Sequence, residues 1–302
     1  MMKEDDFKIA AVVVTFNRLE LLKKCVEAIR NQTRKLDEII VINNSSSDGT
    51  EEWLNEQKDL TVITQENSGS AGGQYTGIKT AYEKGYDWTW SLDCDVIAKQ
   101  NALEKLIYSE IFKFEQVGFL TSNILDRNDK VSYINIPYLK SAGDVLEPLN
   151  NSQTIEVISS SFGSVLFNRD AITKVGYPIP EFFIWGDDVE YTMRIIHNGF
   201  RGYLIFESIA NHLNEDNFKN PFQNLNMSSN KAFYAIRNTV YTIKLRNRLF
   251  KNSYLRGYLG VLKFYLENLY MSLKIHNWEM FEYVNFTKLV LTGLFFNPKI
   301  KP

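Results

Sequence analysis

The chain has 302 residues, 44% of them hydrophobic and 23% charged, with a formal net charge of −2. That is the profile of a globular protein able to bury a sizeable core, as one large domain or a domain with an extension, and it excludes a disordered chain. Two cysteines, Cys25 and Cys94, suggest no disulfide framework; no apolar run reaches the ~20 residues of a membrane span, and the acidic start "MMKEDDFKIA" lacks a signal peptide's apolar core.

"KIAAVVVTF" (8–16) is an unbroken β-branched run, as in a strand buried on both faces. "NRLELLKKCVEAIRNQ" (17–32) follows, with Leu19, Leu22, Val26 and Ile29 at helical spacing and Asn17 in N-cap position. "DEIIVINN" reads as a second strand and "SSSDGTEEWLNEQ" as a turn into a helix, with Asp48 and Gly49 at the turn. "LTVITQ" is a third strand. "NSGSAGGQYTGIKTAYEKG" is a glycine-rich loop opening a helix, and "YDWTWSLD" is a fourth strand. Four strand–helix alternations imply a parallel sheet with helices on both faces. Such sheets bind ligands at the carboxyl ends of their strands, where Asn17, Asn43, Gly69 and Asp93 fall. Beyond Ala98 the pattern loosens. A helix near 101–114, strands near 117–122 and 131–136, a helix over 187–200 and a strand in "RGYLIFES" are expected.

The tail is different. From Asn230 onward twelve Lys/Arg stand against three acids, whereas 22 basic residues stand against 33 acids before it. Phe233, Ile236, Val240, Ile243 and Leu245, then Tyr258, Leu262, Tyr265, Leu269 and Leu273, recur in a helical, basic, aromatic stretch. Its apolar faces fit packing on the rest of the protein or on a second copy. They equally fit an amphipathic surface lying in a membrane interface.

Two stretches carry unusual acid pairs. In "WTWSLDCDVIA" an apolar strand ends in Asp93 and Asp95, two carboxylates that repel each other unless something positive sits between them. In "FFIWGDDVEY" the adjacent Asp187 and Asp188 open a helix, where acids also favour the helix dipole.

Taken together and in order, "VVVTFNR", "VINNSSSDGT", "NSGSAGG", "LDCD" and "FFIWGDDVEY" resemble family 2 inverting glycosyltransferases of the GT-A fold. Bacterial members that add galactofuranose or rhamnose to cell-surface glycans look most similar. The resemblance spans about residues 8–215 and continues loosely into the tail. It implies an α/β fold, mostly parallel, with a C-terminal helical extension. The expected division is a catalytic domain over 1–228, its nucleotide half over 1–98 and acceptor half over 99–228, and an extension over 229–302.

The resemblance also implies roles. Asp93 and Asp95, with His212 of "ANHLNED", would hold Mn²⁺ or Mg²⁺, a hard cation that offsets the growing charge of a diphosphate leaving group. Asp93 would also reach the nucleotide sugar. Thr15, Phe16, Asn17 and Arg18 would meet the nucleobase. Asn43 stands where the family usually has an Asp, which removes a charge-assisted bond but leaves an amide acceptor. Gly69, Gly72 and Gly73 would lie against the donor. Asp188 would be the base that takes the acceptor's proton, with Asp187 and Trp185 contacting the acceptor.

The expected activity is transfer of galactofuranose from UDP-galactofuranose to a growing, lipid-linked glycan at the cytoplasmic face of the plasma membrane. dTDP-rhamnose or another UDP-hexose is the alternative donor. Peripheral membrane contact and a homodimer through the C-terminal helices are possible associations, and no nucleic-acid partner is expected. A non-catalytic nucleotide-sugar module would be expected to lack the base or the metal acids, and both are present. A nucleotidyltransferase would need a glycine-rich, basic signature after the first strand, and a dinucleotide oxidoreductase a G-x-G-x-x-G. "VVVTFNRLELL" has neither.

Overall fold

The computed structural model describes residues 7–113, 116–139, 154–213, 226–251, 253–276 and 278–300. Strand β1 (Ile9–Thr15) is buried along its whole length, and β2 (Glu38–Asn43) along all but its first residue. With β3 (Leu60–Thr64) and β4 (Trp88–Asp93) they form the parallel run β3-β2-β1-β4. Helices α1 (Leu19–Arg30), α2 (Thr50–Asn55) and α3 (Gly69–Glu83) make the crossovers. The sheet then changes character. Strand β9 (Ser164–Asn168) lies antiparallel between β4 and β6 (Val117–Asp126), and the long β10 (Arg201–His212) runs parallel to β6. Short β5 (Val96–Ala98) pairs antiparallel with the end of β10, and β8 (Thr154–Ser159) and β7 (Tyr138–Leu139) complete the edge. The α/β architecture read from the sequence is therefore present, parallel through β4 and mixed beyond it.

Two expectations change. The helix near 101–114 is α4 (Ala102–Ile107) followed by a separate 3₁₀ turn, Glu110–Lys113; its expected last residue lies outside the described ones. The strand near 131–136 is a 3₁₀ turn, Tyr133–Asn135, because Asn135 turns inward to bond with Ser132 and Ser161 instead of pairing in a ladder.

Packing follows the pattern of apolar residues. Leu22, Cys25, Val26 and Ile29 of α1 pack with Trp90, Leu92 and Leu103 on one sheet face. On the other face α5 (Arg169–Val175) and α6 (Asp187–His197) pack against Phe119, Val165 and Phe167. Both cysteines are buried and free, as expected. Helices α7 (Asn230–Lys251), α8 (Tyr254–Met271) and α9 (Met280–Phe295) follow. They share a core of their own, in which Ile236 and Val240 of α7 meet Val261, Phe286 and Val290. The apolar face of α7 is thus internal packing and not a free amphipathic surface. No helix among the described residues is long and apolar enough to cross a membrane.

Candidate active site

The sheet's pairing explains how distant residues meet. Asp93 is the last residue of β4, beside Val14 of β1, and a two-residue turn carries the chain through Asp95 into β5. Because β5 pairs with β10, Val96 stands opposite His212. His212 Nε2 consequently lies 3.3 Å from Asp95 Oδ2. Its Nδ1 is 2.8 Å from Asn135 Oδ1, which fixes the ring. From the start of α1, Arg18 reaches across and forms an ion pair with the same Asp95 oxygen.

These neighbours split the two carboxylates. Burial raises the Asp95 pKa, but the hydrogen bond and charge of His212 and the charge of Arg18 win and hold it below the usual range. Asp93, half-buried, is pushed up to about 7 by burial and by the charge of Asp95, with Asp188 adding to the rise. Burial lowers the His212 pKa, yet its bond to Asp95 outweighs this and raises it.

The types of donor fit a divalent cation: two carboxylates and an imidazole whose other nitrogen is anchored. Their arrangement is less complete. Among the described residues no three His, Cys, Asp or Glu side chains are gathered for one ion, and Arg18 sits on Asp95.

The second acid pair opens α6. Gly186, at φ 85°, supplies the left-handed residue that turns the chain into the helix. A buried, two-bonded ion pair between Arg194 and Glu190 anchors the helix, and Arg194 also donates to the Tyr177 carbonyl. Asp187 is 3% exposed, and its Oδ2 has no hydrogen-bond partner. Burial and the charge of Asp188 push its pKa well above the usual carboxylate range. Asp188 is half-buried, and its Oδ1 accepts from the Val189 N–H at 2.7 Å. Burial raises it to about 6 against the pull of backbone donors, so it is ionised at neutral pH. Burial thus raises both acids, at a site whose field reaches Asp93. Trp185 stands just before them, 39% exposed.

The other expected ligand residues divide. Phe16 is exposed at the end of β1, and Thr15 is buried. Asn17 does not cap α1. Its backbone is left-handed at φ 50°, which swings its side chain to accept from the Ser47 N–H at 2.7 Å. Asp48 does the capping from a distance, accepting from the Leu19 N–H at 2.9 Å as well as from Thr50. Asn43 is buried, with Oδ1 taken by the Ser46 N–H at 3.0 Å. Gly73 lies where a Cβ would strike Val14, and Gly69, at φ 73°, where a Cβ would strike the Phe183 carbonyl. Both glycines thus admit close packing within the fold. Gly72 is buried under Ser68.

Sequence reasoning missed several supporting amides. Asn44 donates to the Gly69 carbonyl at 3.0 Å and accepts from Gln65 at 2.9 Å, tying β2 to the glycine-rich turn. Asn135 orients His212, and Asn238 grips the segment before Asp187. The doubled amide of "VINN" was the one signal available; buried amides elsewhere leave no period or spacing.

The profile of the family described as "Glycosyl transferase family 2" matches residues 10–175. The chain belongs to glycosyl transferase family 2. It is therefore a glycosyltransferase, and the matched segment includes Asp93 and Asp95. It is 27% identical over 259 residues to galactofuranosyltransferase GlfT1 of Mycolicibacterium smegmatis, covering 78% of this chain and 82% of that one. It is 28% identical to GlfT1 of Mycobacterium tuberculosis over 197 residues, 63% of this chain and 64% of the relative. To poly-beta-1,6-N-acetyl-D-glucosamine synthase of Staphylococcus aureus it is 28% identical over 209 residues, 67% of this chain but only 48% of the synthase. A crystal structure of GalNAc-T7 with UDP, GalNAc and Mn²⁺ aligns at TM-score 0.58 and 14% identity, covering 82% of this chain and 52% of that one. That likeness is one of fold, and it places this family 2 member in the GT-A architecture.

Proposed function

We propose that this glycosyltransferase performs a metal-dependent, inverting transfer of galactofuranose from UDP-galactofuranose to a hydroxyl of a cell-surface glycan built on a lipid carrier. One observation carries the reading of the reaction. Asp188, raised by burial to about 6, stands beside the fully buried Asp187, whose pKa burial pushes well up, at a helix start within the field of the acids that end β4. A general base needs a pKa near but below the working pH, and Asp188 has one. Asp188 takes the acceptor's proton as its oxygen attacks the anomeric carbon from the face opposite the leaving diphosphate. Asp187 orients the acceptor through a hydrogen bond, and Trp185 offers a sugar face an apolar platform. Phe16 and Arg18, at the exposed end of β1, meet the nucleotide, with Thr15, Asn17, Asn43 and the Gly69, Gly72 and Gly73 turn shaping the pocket behind them. Asp93, Asp95 and His212 would hold Mn²⁺ or Mg²⁺, which supplies positive charge to the diphosphate. Arg18 releases Asp95 for that purpose. The choice of galactofuranose is supported by the likeness to GlfT1. We also propose the division into a catalytic domain, residues 1–228, and a helical extension, 229–302.

The test is transfer measured across a panel of nucleotide sugars, including UDP-galactofuranose and dTDP-rhamnose, with product configuration determined. Activity should vanish in EDTA, return with Mn²⁺ or Mg²⁺, and give an inverted product. Full turnover in chelator, or a retained configuration, overturns the mechanism; turnover with dTDP-rhamnose alone moves the donor.

The proposed cellular place is the inner face of the plasma membrane, as a peripheral protein. Tyr254, Leu255, Leu262, Leu266, Leu273 and Met280 of the extension are all exposed, and the extension also carries Arg248, Lys251, Arg256 and Lys263. Near an anionic surface each well-placed Lys or Arg contributes roughly 1 kcal/mol. Flotation with anionic vesicles should show salt-sensitive binding, weakened when Arg246, Arg248 and Lys251 become Glu. No binding at low salt would leave the same face to a second copy of the chain.

A further inference from the structure

The segment "PEFFIWG", residues 180–186, leads directly into Asp187 and Asp188, and its backbone is unusual. After the 3₁₀ turn Pro180–Phe182, left-handed angles recur at Phe183 (φ 63°), Trp185 (φ 63°) and Gly186 (φ 85°). Two of these residues are bulky and aromatic, a type that resists this conformation. Such a backbone persists only when surrounding contacts over-determine it.

The contacts come from α7, in the helical extension. The buried Asn238 Nδ2 lies 3.0 Å from the carbonyl of Phe182, 2.8 Å from that of Ile184 and 2.8 Å from that of Trp185, and shares its two N–H groups among the three. Arg237 donates from Nη2 to the carbonyls of Glu181 at 2.7 Å and Phe182 at 3.1 Å. Arg237 Nε also donates to Asn238 Oδ1 at 2.9 Å. A guanidinium can only donate, so this bond settles which end of the amide faces the segment. The guanidinium is itself clamped, 4.0 Å from the Phe296 ring centroid and 5.1 Å from that of Tyr234. Phe183 stacks on Tyr234 at 4.6 Å. From the opposite side the Phe183 carbonyl accepts from the Ala71 N–H of the glycine-rich turn at 3.1 Å.

We propose that Arg237 and Asn238 are positioning residues for the glycosyl transfer: they hold segment 180–186 in its left-handed path and so set Trp185, Asp187 and Asp188 against the β4 acids. The helical extension is then part of the catalytic frame and not only an appendage. The catalytic consequence rests on the proposed role of Asp188; the clamp itself does not.

The experiment compares Asn238→Ala with Asn247→Ala in the full chain. Asn247 is a buried amide of the same helix that donates to its own helix, at the Ile243 carbonyl, so it controls for loss of helix packing. Hydrogen–deuterium exchange is followed over residues 180–190, alongside transfer kinetics. In Asn238→Ala, exchange there should rise by on the order of ten-fold while β1 and β4 stay protected. kcat should fall by about ten-fold or more with donor KM nearly unchanged, since donor contacts lie mainly on the other half. Asn247→Ala should show neither effect. Unchanged exchange at 180–190, or an equal rise in both variants, overturns the clamp. A selective rise with unchanged kcat overturns the positioning role. A silent Asp188→Asn in the same assay would instead remove the base assignment and leave the clamp standing.

Discussion

Two aspartate pairs dominate the carboxyl edge of the sheet, and they are split by different means. In Asp93 and Asp95 the division is made by side-chain cations: His212 and Arg18 both attend Asp95, while Asp93 is pushed up to about 7. In Asp187 and Asp188 no cationic side chain takes part. Burial raises both, and backbone N–H groups at the start of α6 hold Asp188 down to about 6 while Asp187 goes well up. Arg18, about half exposed, can swing away and make room for a ligand, whereas His212 is held by Asn135 and a helix start is fixed. The first pair thus has one neighbour, Arg18, that can leave, and the second is held by backbone alone.

Removing the second pair's ionised member should have the largest effect. Asp188→Asn keeps the shape but cannot take a proton, so transfer should fall by a factor on the order of 10² or more. Donor binding should stay near normal. Wild-type kcat should fall as pH drops through about 6, because the proposed base, Asp188, is then protonated. The sign for stability is the reverse. An acid whose folded pKa is raised loses folding stability as pH climbs through its unfolded and folded pKa values, so the Asn variant should melt higher than wild type at pH 7–8 and equally below pH ~3.5. If Asp187→Asn is the more damaging change, the two roles are exchanged.

Gly69→Ala tests the support of the segment before the second pair. A Cβ there meets the Phe183 carbonyl at a left-handed backbone position, so the variant should lose roughly 2–4 kcal/mol of stability by denaturant unfolding. A loss below ~0.5 kcal/mol would show that the turn moves freely away from segment 180–186. The smallest change is expected from Arg18→Gln. Arg18 is about half exposed, so the pair with Asp95 is screened and should contribute less than ~1 kcal/mol to stability. Nucleotide affinity should nonetheless weaken. A fall in stability of several kcal/mol would mean that the first pair is as fixed as the second.

Much of this edge was legible in the chain. The β-branched run of β1, the helical spacing of Leu22, Val26 and Ile29, and the glycine-rich turn before α3 place Asp93 and Gly69 at strand ends by local pattern alone. The resemblance of five collinear motifs pointed to glycosyl transferase family 2, and the match over residues 10–175 bears it out. Other features were not legible, because their partners lie far off in sequence. Asn17 looks like a cap until Ser46 and Ser47, about 30 residues on, take its backbone and side chain. Nor does local pattern show that the Ser46 N–H bonds the Asn43 oxygen.

What the sequence determined by itself was the alternation of strands and helices, since hydrophobic period and glycine placement act over a few residues. It also determined which acids end β4 and open α6. Only the tertiary structure decided which way each acid's pKa is shifted. Protonation depends on desolvation and on neighbours such as His212 and Arg18, which lie 117 and 77 residues from Asp95 and meet it only when β5 pairs with β10 and α1 folds across β4. The same holds for the tail. Its helices could be read from their apolar spacing, but that α7 would turn Arg237 and Asn238 onto the segment before Asp187 is a matter of helix docking, which local pattern does not encode.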